Sequence, residues 1–140
     1  MQYTISYEEN PKLEDILILE NGIKEYDDKQ KKRNNHIVSF AFFMRDENGK
    51  IVGGSQGEIM FGHLFISQLW ISELLRRKGY GTNLMRATEK LAHDKECHFI
   101  AVNTMEWQAL DFYKKLGFYI EFERHGFNNN SILYYLRKDL

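Results

Sequence analysis

The chain has one cysteine and one proline in 140 residues, and its charges nearly cancel, with 19 Lys and Arg against 20 Asp and Glu. A single cysteine, Cys97, excludes an intramolecular disulfide and fits a reducing compartment. A net charge of −1 gives no general attraction for nucleic acid or an anionic membrane surface. No run approaches the roughly 18 apolar residues that a membrane span requires. The opening MQYTISYEENPK lacks the basic segment and apolar run of a signal peptide, so a cytoplasmic location is expected. Repeats and low-complexity tracts are missing as well.

What is present is ordinary globular material: 43% hydrophobic and 14% aromatic residues, enough at this length for one core and one domain spanning residues 1–140. QYTISY alternates like a short strand. Asn10 is placed to cap a helix with Pro11 at its first position, carrying Leu13, Ile16, Leu17 and Ile23 near one face. The charged stretch at residues 21–35 reads as a solvated loop. IVSFAFFMRD and KIVGGSQGEIMF flank an Asn48-Gly49 turn and form a hairpin, its second strand weakened by glycines. HLFISQLWI, apolar on both faces, reads as a central strand. A helix over residues 79–95, the strand HFIAVNT, a helix in EWQALDFYKKL ended by Gly117, and the antiparallel pair FYIEFER and SILYYLR complete the chain. The order βα(α)βββαβαββ describes an α/β fold with a mixed central sheet and helices packed on it.

The junction ELLRRKGYGTNLM, residues 73–85, is the most informative stretch. The first N–H groups of a helix have no internal partner and carry partial positive charge. Gly79 and Gly81 let the backbone approach a ligand, and Arg76, Arg77 and Lys78 attract an anion. Strand, basic glycine-bearing turn and helix together make a phosphate cradle. The same residues also suit a solvated helix entry. Neither a Walker loop nor a dinucleotide fingerprint is present.

The run R-x-x-G-x-G at Arg76, Gly79 and Gly81 resembles the acyl-CoA signature of the GNAT superfamily of N-acetyltransferases. ALDFYKKLGF, residues 109–118, resembles that family's A-x-x-F-Y-x-x-x-G-F segment, with HFIAVNT between the two. The element order matches from end to end. The resemblance implies a single-domain GNAT-like fold with helices on both faces and strands splayed at the acyl-CoA site. It implies that amides of Arg77, Lys78, Gly79, Tyr80, Gly81 and Thr82 hold the CoA pyrophosphate, with Arg76 shaping the loop. It also implies that the backbone of Leu69, Trp70 and Ile71 pairs with the pantetheine arm, and that Tyr113 protonates the departing thiolate.

A phenol can donate to a leaving sulfur; the alternative for Tyr113 is an amphipathic core aromatic with its hydroxyl at the rim, and the presence of both motifs favours the catalytic role. A backbone N–H near Ile71 suits the oxyanion. For the base that takes the amine proton, Glu58 is the nearest carboxylate in an apolar setting, and it is equally placed to be an outward strand residue. His63 is an alternative shuttle, and Glu73 suits a helix entry. His93, Cys97 and His98 match no metal spacing, so no metal is implied. The expected activity is acetyl-CoA-dependent transfer to a primary amine in a ternary complex. The alternatives are a non-catalytic CoA-binding or sensing module and a partner-binding domain. Small-molecule or peptide amines are the implied acceptors; a homodimer is compatible with the sequence, which leaves the oligomeric state open. Nucleic acid and membrane are not implied.

Overall fold

Residues 51–60 alternate strictly: Gly53, Ser55, Gly57 and Ile59 are buried, while Gln56, Glu58 and Met60 are only partly so. A strand with one face on a core gives this pattern. The computed structural model describes residues 1–31 and 36–140. The residues of the expected single domain fall into two compact units, Met1–His36 and Ile37–Leu140.

The first unit contains helix α1 (Leu13–Lys31). Glu14 and Asp15 sit in its first turn, where acidic side chains meet the positive end of the helix dipole. The Lys12 carbonyl accepts the N–H groups of Asp15 and Ile16 at 3.1 and 3.2 Å, so the helix starts beyond Pro11. Asn10, the expected cap, is instead left-handed with φ 51°. The helix also runs through most of the stretch expected to be a loop. Its Glu, Lys and Gln residues are good helix formers, and Gly22 has open space around it. The end of that expected loop, residues 32–35, lies outside the described residues. QYTISY is not a strand. Alternation alone does not make one without a paired neighbour.

The second unit carries strands β1 (Val38–Arg45), β2 (Ile51–Met60), β3 (His63–Ile71), β4 (Phe99–Met105), β5 (Tyr119–Arg124) and β6 (Leu133–Asp139). They form one mixed sheet in the order β1-β2-β3-β4-β6-β5. β3 and β4 run parallel, and the other neighbours among the described strands are antiparallel. Asp46 fixes the first hairpin by accepting the N–H groups of Asn48 and Lys50 at 2.9 and 3.0 Å.

Helix α2 (Tyr80–Asp94) crosses between the parallel strands and buries Leu84, Met85, Thr88 and Ala92. Met85 and Ala92 share one core cluster with Leu64, Ile66, Ile100, Val102 and Leu136, whose side chains are nearly inaccessible. Truncating one such side chain to Ala costs about 2–5 kcal/mol. Helix α3 (Leu110–Lys115) is shorter than the sequence suggests and adds Tyr113 to the same core, with Phe118 just beyond its end.

Candidate active site

The parallel pairing of β3 and β4 begins at His63 and Phe99 and ends at Ile66 and Val102. Beyond that point β3 keeps its register with β2, and β4 with β6, but the two strands no longer face each other. The cause lies in β3. Gln56 faces Gln68 and Gly57 faces Ile66, so Ser67 is an extra residue against β2. Such a bulge kinks the strand and increases its twist. The result is a fork whose two prongs are Ser67–Ile71 and Asn103–Met105.

The loop after β3 leads to the N-terminus of α2. A 3-10 turn at Glu73–Leu75 is followed by Arg76, whose Nε donates to the Ile71 carbonyl at 2.9 Å. That bond ties the basic loop to the end of β3. Arg77 is left-handed at φ 62°, and Gly79, at the N-cap, has φ 87°. Gly79 needs its lack of a Cβ for this conformation, not for space: nothing lies within 4 Å of where a Cβ would be. Gly81 is the opposite case, since a Cβ there would lie 3.2 Å from the Phe112 ring. The first intrahelical bond runs from Asn83 N–H to the Gly79 carbonyl, so the amides of Tyr80, Gly81 and Thr82 have no partner within the helix.

Fork and loop share a cleft of about 1140 Å³. Leu69, Trp70, Ile71, Arg76, Arg77, Gly79, Tyr80, Gly81, Thr82 and Tyr113 all line it. Lys78 is in the same loop but is not among the lining residues. Phe112, Lys115, Gln108, Asn103 and Thr104 also contribute; of these the sequence marks Phe112 alone, as an aromatic able to line a cleft, together with Trp107, which is not among the lining residues.

Tyr113 is only 4% exposed, and its ring makes edge contacts with Phe112 and Phe118 at centroid distances of 5.2 and 5.4 Å. Burial pushes its phenol up to about 12, so the proton stays on the oxygen throughout the neutral range.

The structure does not bring Glu58 to this cleft. Glu58 faces Phe65 and Ser39, before the fork opens, and points away from the buried side of β2. His63 lies at the start of β3, about 13 Å from Ser67 at strand spacing. Its Nδ1 is 2.6 Å from the Met60 carbonyl, and its ring stacks on Phe99. Glu73 is in the 3-10 turn.

A model of the acetyltransferase (GNAT) family matches residues 6–118. The blasticidin-S acetyltransferase of Streptomyces morookaense is 29% identical over 80 residues, which is 56% of this chain and 59% of that protein. The chain thus aligns with less than two thirds of that relative. A crystal structure of an acetyltransferase from Bacillus cereus superposes with a TM-score of 0.79 at 27% identity, over 96% of this chain and 98% of that one. An aminoglycoside 6'-N-acetyltransferase complexed with coenzyme A shares the fold at a TM-score of 0.63 and 18% identity, over 72% of each chain. By its family match, this chain belongs to the GNAT family of acetyltransferases.

Proposed function

We propose that the protein transfers the acetyl group of acetyl-CoA to a primary amine by direct attack within a ternary complex. The observation that carries this reading is the fork between β3 and β4, which opens toward the free amides of α2 and has Tyr113 in its wall.

The residues present fit such a thioester. Unpartnered amides at Tyr80, Gly81 and Thr82, with the positive end of α2 behind them, suit a pyrophosphate. Arg77 adds charge beside them, and Arg76 holds the loop against Ile71. Lys78 supplies longer-range attraction from outside the cleft. On the β3 prong, the main chain of Leu69, Trp70 and Ile71 suits the amide groups of a pantetheine arm, as a further strand would. A main-chain N–H near Ile71 is available for the oxygen of the attacked carbonyl.

The reaction forms a C–N bond, breaks a C–S bond, and moves one proton from nitrogen to sulfur overall. A phenol at about 12 holds its proton more tightly than a thiol at about 8.5, so full transfer from Tyr113 to a free thiolate is uphill. Tyr113 therefore acts by donating a hydrogen bond to sulfur as charge develops there. It can pass its proton on as the amine proton replaces it. Glu58 is not assigned the base, because it does not line the cleft.

Thiol release from acetyl-CoA, followed with a panel of amines, tests the proposal. Amine-dependent release supports it. Tight acetyl-CoA binding by titration with no release for any amine would favour a sensing module instead.

A further inference from the structure

We propose that Thr104 is a positioning residue that holds the main chain of Tyr113 in place; this rests on the role given to Tyr113 above. Strand β4 ends at Met105, and α3 starts at Leu110. Ala109 occupies the N-cap of α3 with φ −136°, and no side chain of the helix caps it. Its N–H donates instead to Thr104 Oγ1 at 3.1 Å. Its carbonyl accepts the Tyr113 N–H at 3.2 Å. Two consecutive hydrogen bonds therefore join the Thr104 oxygen to the backbone of Tyr113.

Thr104 is itself 2% exposed, and its hydroxyl donates to the Met105 carbonyl at 3.3 Å, which leaves the oxygen free to accept from Ala109. Gln108 Oε1 makes a second tie by accepting the Met105 N–H at 2.8 Å. A helix of six residues has little stability of its own, so anchors at its ends decide where it lies. At the far end, Phe118 N–H meets the Tyr113 carbonyl at 3.1 Å. Tyr113 is thus held from both sides, and the strand-side bond that reaches Ala109 passes through the Thr104 hydroxyl.

Thr104→Val keeps the shape and removes the acceptor. It should lower kcat about tenfold through misplacement of the phenol, while acetyl-CoA affinity and acceptor KM stay within about twofold. Thr104→Ser should restore most of the rate. In a Tyr113→Phe background Thr104→Val should cost little more, since both changes act through one group. Undiminished kcat in Thr104→Val, an equal loss in both backgrounds, a raised acceptor KM, or no rescue by Ser would each overturn the proposal. Amide exchange at Ala109 should quicken in Thr104→Val, and protection equal to the parent would also refute the anchor. This readout stands even if Tyr113→Phe keeps its turnover, a result that would instead remove the acid role. Should Thr104→Val not fold, Thr104→Cys takes its place, because a thiol is a weak acceptor, and the expectations are the same.

Discussion

Ile66 lies opposite Val102 in parallel register, and one step further along neither Ser67 nor Asn103 has a partner across the gap. Everything proposed about catalysis depends on that divergence, because it frees the main chain of β3 beside the N-terminus of α2. The loop between them can be tested without touching a cleft-filling side chain. Gly79→Ala meets no clash but must hold φ near 87°, a strain of about 1–2 kcal/mol for an L-residue. Acetyl-CoA affinity should fall about threefold to tenfold as the loop relaxes, with circular dichroism unchanged. An unaltered dissociation constant in isothermal titration would separate the loop from the ligand.

Gly81→Val should behave differently. Its side chain meets Phe112, which in turn packs edge-on against Tyr113. Binding and turnover should therefore both decline, and loss of binding alone would contradict this contact path.

Buried polar contact between α2 and β2 offers a stability test. Thr88 is fully buried, donates to the Leu84 carbonyl at 2.8 Å, and lies 3.2 Å from the Ser55 hydroxyl. Thr88→Val leaves Ser55 without its partner and should cost about 1–3 kcal/mol in urea denaturation. Adding Ser55→Ala should return part of that loss. Strict additivity of the two changes would show that the pair is not coupled.

The pH dependence of stability follows from Tyr113. Its folded pKa of about 12 stands above the unfolded value of about 10, so the folded state binds the proton more tightly. This contribution is complete below pH 10 and is lost as pH rises toward 12; at about 1.4 kcal/mol per unit it amounts to some 2–3 kcal/mol. Tyr113→Phe should therefore lose less stability than the parent between those pH values. Parallel curves in denaturant melts would contradict the buried phenol.

Glu58→Gln should retain kcat/KM within about twofold across the neutral range, because the carboxylate is outside the cleft. Loss of an acidic limb in that variant's pH profile would restore Glu58 as the base.

Which parts of this molecule can be read from its residues depends on the range of the interactions involved. The loop at Arg76–Thr82 is legible because glycine conformation and helix-end chemistry are local properties. Strand β3 is legible as central from its apolar residues on both faces. The bulge at Ser67 is not, since it exists only in the pairing of β3 with β2. Thr104 and Gln108 escape notice for a related reason: they work through main-chain hydrogen bonds, which leave no periodic trace. Glu58 attracts attention as an acid among apolar residues, yet the register of β2 decides its surroundings. Charge misleads in residues 21–31, where Glu and Lys continue α1 rather than end it.

The central claim is that the Tyr113 hydroxyl assists departure of the sulfur, and Tyr113→Phe tests it most directly. The ring contacts with Phe112 and Phe118 remain in that variant, and only the donor is removed. With acetyl-CoA and an accepted amine, kcat should fall by roughly 10²-fold while the acetyl-CoA dissociation constant stays nearly constant. Turnover equal to the parent, measured on a preparation that binds acetyl-CoA normally, would contradict it.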